Sequence, residues 1–222
     1  MRTSLIKLPG LALAGLLAAC TPPDRPAAFT ELHIARDRLA PAGDAIDVTE
    51  FFMYSCGHCA AFDAPLHAWA GQRQAVRLQR LPIAFSDRDV PLQRLYFAVQ
   101  ALPDPQRLHR RIFDAIHRQH LKLDSEDALA DFMAAQGIDR AAFLAAYRAP
   151  AVQGQLDRVL ALRHRYAVRA VPTLVVADRF VTSPGMVESS ALAEDAGQTV
   201  EQATLRLVDR LLVLARTGVP GG

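Results

Sequence analysis

The sequence predicts an α/β protein in which a helical segment interrupts a sheet, and three observations carry that reading. Residues 45–54 form an apolar run that is near-continuous after Val48, followed by a helical pattern and then by an alternating strand over residues 75–81. Between Pro91 and Tyr166 the apolar residues recur at helical spacing and no strand-like run intervenes. Strand patterns return at residues 173–177 and 180–182, joined by Ala177-Asp178-Arg179 as a hairpin turn. Strand–helix–strand, then helices, then strands is the signature of a parallel α/β unit carrying an insertion.

Taken in order, the chain of 222 residues opens on a basic stretch with Arg2 and Lys7, followed by an apolar run over residues 8–19. That run is shorter than the roughly 20 residues a membrane-spanning helix needs, and it is expected to be an export signal. It closes on Leu17-Ala18-Ala19-Cys20, which resembles the lipobox of a bacterial lipoprotein. Cleavage before Cys20 and a lipid on that cysteine are therefore expected, with ordinary cleavage after the small residues Ala18 and Ala19 as the rival. Thr21 to Ala28 is a Pro-rich tether. Residues 31–34 could form a short edge strand. The helix opened by Cys56 runs through Phe62, Leu66 and Trp69, with Pro65 expected to bend it. Arg77 and Gln79 alternate with Val76 and Leu78 in the half-buried strand that follows.

Helical segments are expected over residues 92–102, 106–120, 125–136, 139–147 and 153–166, punctuated by Pro103, Pro105, Gly137 and Pro150. An amphipathic helix over residues 200–215 closes the chain. The expected organisation is a signal at 1–19, a lipid-anchored tether at 20–30, and a sheet domain in two parts, 31–86 and 167–222, around a helical insertion at 87–166.

Charge and cysteine count narrow the function. The formal charge of +2 resides in Arg2 and Lys7; the 25 basic residues less these two leave 23, against 23 acidic, once the signal is removed. Nothing there offers a footprint for nucleic acid. Of the 3 cysteines, assigning Cys20 to the lipid leaves Cys56 and Cys59 as a closed pair. One vicinal pair in an exported domain is expected to be reactive, not a structural staple.

The pair sits in Cys56-Gly57-His58-Cys59, directly after the apolar strand. In a helix opened by Cys56 both sulfurs lie in the first turn, close enough for a disulfide. The first thiol meets the orphan N–H groups and the positive end of the helix dipole, which favour its thiolate, the reacting species. Redox exchange is the chemistry this placement predicts.

These residues resemble the DsbA family of periplasmic thiol oxidases, whose members have a thioredoxin fold with a helical insertion. The likeness is carried by Glu50-Phe51-Phe52 through Cys59, by the insertion, and by Val171-Pro172-Thr173 opening the later strand. It implies that Cys56 is the exposed nucleophile, Cys59 its buried partner, and His58 a stabiliser of the Cys56 thiolate. Pro172 is similar to the family's cis proline beside the redox disulfide, and Val171 to the residue whose backbone pairs with the substrate polypeptide. Glu50 resembles the family's buried acid, which moves the proton of the second cysteine, and Arg80 stands where the family has a basic partner.

The implied activity is oxidation of cysteine pairs in newly exported proteins by a monomer without a bound cofactor. The implied reoxidant is a membrane quinone reductase of the DsbB type, and the implied location is the periplasmic face of a membrane, through the lipid anchor. Thr21, not Asp, after the lipid site leans toward the outer membrane. Gly57 departs from the proline many members carry; Cys-Gly-His-Cys is the sequence of protein disulfide isomerase, a milder oxidant than DsbA. An isomerase or reductase of the same fold, and a chaperone-like binding module, are the rivals. DsbC-type isomerases carry an N-terminal dimerisation domain and tend to have Thr before the cis proline.

Metal sites are not expected. Cys56 and Cys59 have no second pair for zinc, and His109, His117 and His120 are expected on a solvated helix face beside Arg110, Arg111 and Arg118. Phe113, Phe132, Met133 and Phe143 are expected to form the core of the insertion, with an apolar patch near the active site that receives unfolded substrates as the rival.

Overall fold

The structure is a computed structural model that describes residues 26–32, 45–194 and 197–217. The expected signal, the lipid site at Cys20, most of the tether and the end of the expected first strand lie outside the described residues.

The strands are β1 (Phe29–Glu31), β2 (Ile46–Phe52), β3 (Val76–Pro82), β4 (Thr173–Val176) and β5 (Phe180–Thr182). They form a single sheet in the order β1-β5-β4-β2-β3, with β2 and β3 parallel and the other pairs antiparallel. Helix α1 (Gly57–Gly71) joins β2 to β3. Helices α2 (Val90–Gln100), α3 (Pro105–His117), α4 (Glu126–Ala135), α5 (Arg140–Arg148) and α6 (Pro150–Arg165) separate β3 from β4. After β5 come the short α7 (Pro184–Glu188) and the long α8 (Val200–Thr217). Among the described residues no helix is long and apolar enough to cross a membrane.

Each element has a local cause. The β2 run is apolar because the strand is inside the sheet and covered on both faces. Its period of two sends Val48 into a cluster with Phe62, Leu66 and Trp69 of α1 and Val208, Leu211 and Leu212 of α8. Phe51, on the opposite face, packs with Leu81, Val175 and Val159 of α6. Thus α6 follows the other insertion helices in sequence yet roofs the second face of the sheet. Phe113, Phe132, Met133 and Phe143 of the insertion are buried as expected, in a cluster that continues into Phe52, Tyr54 and Cys59.

The helix starts in this region are encoded by caps. Asp104, Ser125 and Asp139 each accept the N–H three residues on, at 3.2, 3.2 and 2.8 Å. Proline occupies the first turn of α2, α3 and α6, where its missing N–H costs nothing. The expected hairpin turn Ala177-Asp178-Arg179 is present: Ala177 and Asp178 both have positive φ, 55° and 53°, and the Arg179 N–H donates to the Val176 carbonyl at 3.0 Å. Two features differ from expectation. β1 begins at Phe29, earlier than the pattern suggests, because Phe29 packs edge-on against Phe180 with ring centroids 5.8 Å apart. And α7 was not expected, although Ser183-Pro184 opens it as a cap and first-turn proline.

The register places Phe29, Thr182, Leu174, Glu50 and Arg80 in one row across the sheet. β1 and β4 run against β2, so the start of β1 stands level with the end of β2.

Candidate active site

The site is built where β2 ends and α1 begins. Cys56 is the N-cap of α1, with extended backbone angles of −87° and 116°. Its Sγ accepts the N–H of Cys59 at 3.3 Å, taking the place a serine or aspartate oxygen fills at an ordinary cap. The same sulfur lies 3.6 Å from the carbonyl oxygen of Val171. Cys56 is half-buried, whereas Cys59, one turn in, is fully buried, and both are free thiols. His58 is exposed.

These environments separate the two thiols. A hydrogen bond from the Cys59 thiol, the N–H groups of Cys59 and His58, and the charge of His58 together outweigh burial and bring the Cys56 pKa down to about 6. The bond to Cys56 and burial push the Cys59 thiol far up. The first sulfur is thus held as a thiolate at neutral pH and the second as a thiol.

The Val171–Pro172 bond is cis, as expected, and Pro172 is buried while Val171 is half-buried. The Thr173 hydroxyl donates to the Ala170 carbonyl at 2.8 Å and closes that turn. The Val171 carbonyl is thereby presented to the sulfur from across the groove.

Glu50, six residues before Cys56, is buried on the α1 face of β2, at 2 % exposure. Arg80 stands beside it on β3, and its Nε donates to Glu50 Oε2 at 3.1 Å. Burial raises the Glu50 pKa to about 7 despite the opposing charge of Arg80. Its charge is felt at Cys59.

The sequence reading missed the rest of this network. Arg80 Nη2 donates to Asp63 Oδ1 at 3.0 Å, so one guanidinium spans two carboxylates. The same Asp63 oxygen lies 3.1 Å from His109 Nε2, and His109 Nδ1 lies 2.7 Å from the Tyr54 hydroxyl. Burial alone would raise Asp63, but the bond from His109 and the neighbouring positive charges hold it below the usual carboxylate range. Burial keeps His109 below its usual pKa, so its ring is neutral near pH 7. An ionised Asp63 only accepts; Nε2 therefore carries the hydrogen and Nδ1 accepts from Tyr54 O–H.

The expectation that His109 faces solvent is corrected here: it is 3 % exposed and inside the network. His117, also expected on the solvated face, is half-buried and bonds through Nε2 to the Tyr54 carbonyl at 2.7 Å, while His120 is exposed beyond the helix. One signal for Asp63 was present: it follows Cys59 by four residues and shares its buried helix face. No comparable signal pairs α1 with α3.

A family model described as a DSBA-like thioredoxin domain matches residues 80–196. The chain is 37 % identical over 193 residues to the thiol:disulfide interchange protein DsbA of Burkholderia cepacia, covering 85 % of this chain and 89 % of that one. To the protein of the same name from Bordetella parapertussis it is 34 % identical over 215 residues, 96 % and 97 % of the two chains. Among solved structures, Pseudomonas aeruginosa DsbA superposes with a TM-score of 0.75 at 28 % identity, over 86 % of this chain and 94 % of that one. DsbA from Xylella fastidiosa gives 0.71 at 29 % identity, over 86 % and 96 %. With its thioredoxin fold, helices between β3 and β4, and thiol pair at a helix start, the chain belongs to the DsbA-like family of thiol:disulfide oxidoreductases.

Proposed function

We propose that Cys56 is the nucleophile, Cys59 the resolving thiol, and that the enzyme oxidises cysteine pairs of newly exported proteins. The carrying observation is the asymmetry of the pair: Cys56 Sγ caps α1 at the groove, and Cys59 is buried beneath Glu50's strand. In the oxidised enzyme a substrate thiolate attacks Cys56 Sγ; the Cys56–Cys59 bond breaks, and Cys59 leaves with the electron pair and takes a proton. Glu50, with a pKa about 7, is suited to supply that proton from within the protein. A second substrate thiolate attacks the mixed disulfide at the substrate sulfur, and Cys56 departs as a stable thiolate, leaving an oxidised substrate and a reduced enzyme. His58 favours that thiolate, and the backbone of Val171, whose carbonyl lies 3.6 Å from the Cys56 sulfur, pairs with an extended substrate backbone.

The finer reading extends to place and partners. Export to the periplasm, a lipid on Cys20, a DsbB-type membrane reoxidant, a monomeric state and no bound cofactor form one consistent proposal, with the insertion at 87–166 as a discrete unit. Mass spectrometry of the native N-terminus is expected to show a diacylglycerol adduct on Cys20; a soluble product cut after Ala18 or Ala19 and lacking the lipid would refute the anchor. For the chemistry, Cys59→Ala is expected to trap exported proteins as mixed disulfides on non-reducing gels, and Cys56→Ala to trap none. Equal trapping by both variants would overturn the assignment of roles.

A further inference from the structure

We propose that His109, on α3, is a positioning residue for disulfide exchange, acting through Asp63 and Arg80 on the carboxyl of Glu50. The inference rests on the reading of Glu50 as the proton carrier for Cys59 and adds to it a residue from outside the sheet.

The argument is geometric. Five polar side chains, Tyr54, His109, Asp63, Arg80 and Glu50, form one chain of hydrogen bonds from the insertion to the active-site strand, each less than 10 % exposed. Two carboxylates share one guanidinium, so with both ionised the cluster carries an uncompensated negative charge. Whichever carboxylate holds the guanidinium more firmly keeps its charge, and the other takes the proton more readily. His109 donates to Asp63 Oδ1, the oxygen that also accepts from Arg80. It thereby satisfies Asp63 with a neutral donor and leaves Arg80 free to serve Glu50. Tyr54, by donating to Nδ1, fixes the ring in the tautomer that can do so.

Other groups face this cluster. His109 meets Tyr96 of α2 at 5.8 Å between rings and feels Arg110 on its own helix; His67 of α1 acts on Asp63, and Cys56 acts on Glu50. None of these replaces the donor to Asp63.

Without His109, Asp63 draws Arg80 toward itself, Glu50 loses counter-charge, and its proton becomes harder to remove. The consequence appears in the step that needs Glu50 ionised. With oxidised glutathione as the oxidant, the Cys56 thiolate first forms a mixed disulfide with one glutathione and releases the other. Cys59 then gives its proton to Glu50, attacks Cys56 Sγ and expels the second glutathione as thiolate. The protein disulfide is formed and two glutathiones are left reduced.

The experiment is the pH profile of that second step, followed by acid quenching and intact-mass spectrometry of the reduced full chain. The parent protein is expected to lose rate as pH falls through the Glu50 titration. His109→Leu is expected to move that limb up by about one pH unit, slowing the step about tenfold below it. His109→Gln, which keeps a donor for Asp63, is expected to restore most of the limb, and Tyr54→Phe to shift it the same way by less. In a Glu50→Gln background the His109 substitution is expected to move nothing.

A limb unmoved in His109→Leu but abolished in Glu50→Gln would overturn the role of His109 and leave Glu50 as the carrier. A limb that survives Glu50→Gln would overturn the Glu50 reading itself. Should His109→Leu not fold, an unshifted limb in both Tyr54→Phe and His109→Ala would equally reject the proposal.

Discussion

Cys56 and Cys59 stand one helical turn apart and differ in almost everything that governs a thiol. Cys56 has two backbone N–H groups, the Cys59 thiol and His58 working in its favour, so its thiolate is expected to titrate near pH 6 by ultraviolet absorbance. An ordinary alkaline titration would remove the basis for its role as nucleophile. His58→Ala takes away a charge, not the N–H groups, and is expected to raise that titration while leaving it below a free cysteine. Gly57 offers a second test. It is the first residue of α1, and a Cβ built there meets nothing within 4 Å. The N–H groups that serve Cys56 are those of His58 and Cys59, not Gly57. Gly57→Pro is therefore expected to fold and to gain about 0.5–1 kcal/mol in urea unfolding, because proline suits a first helical position and restricts the unfolded chain. A loss of stability would mean that the Gly57 backbone is not compatible with proline.

At the scale of elements, β2 and α8 were readable in the sequence because their environments are uniform. β2 is buried throughout from Val48, and α8 presents Leu205, Val208, Leu211 and Leu212 along one stripe against the sheet and α1. Leu211 is fully buried there, and Leu211→Ala is expected to cost about 2–5 kcal/mol by chemical denaturation, with unchanged exchange chemistry in the folded fraction. Elements defined by a distant partner were less legible. The bounds of β1 follow its pairing with β5, across some 150 residues of chain, and α7 is too short to show a period. α3 shows how residue type can mislead where spacing does not. His109 precedes Phe113 by four residues and follows Leu108, which puts it on the buried stripe; Arg110 and Arg111 occupy the other side. The basic neighbours suggested water, but the period of the helix pointed inward. Within the site, Cys56 and Cys59 were accessible because they stand in a local pattern, whereas Glu50, Arg80 and Pro172 were accessible through the resemblance to the DsbA family. Tyr54 acquires its side-chain partner only when α3 packs on α1, and Asp63 joins Arg80 only when α1 folds against β3.

For the whole molecule, the two redox states are expected to diverge with pH. The folded-state pKa of Cys56 is depressed from 9.0 to about 6, so its contribution to the reduced form is fully present above pH 9 and is lost as pH falls through 6. The Glu50 pKa is raised from 4.5 to about 7, chiefly by burial and in smaller part by the charge of Cys56; that contribution is present below 4.5 and is lost as pH rises through 7. The stability of the reduced form relative to the oxidised form is thus expected to increase from pH 7 to pH 9, above the Glu50 titration, in paired urea titrations. A constant difference across that window would contradict the thiolate assignment. A last consequence follows from the direction of β1. The chain enters the sheet at Phe29, level with Glu50, so it comes in from the end that bears Cys56 and about 14 Å to the side, three strand spacings away. Eight residues lie between Cys20 and Phe29, a leash of roughly 30 Å at full stretch. With a lipid on Cys20, such a leash would keep the end of the sheet that bears Cys56 within that reach of the bilayer. Emerging chains and a membrane-embedded oxidant would both lie within the same reach, and the enzyme would meet them by swinging on its tether.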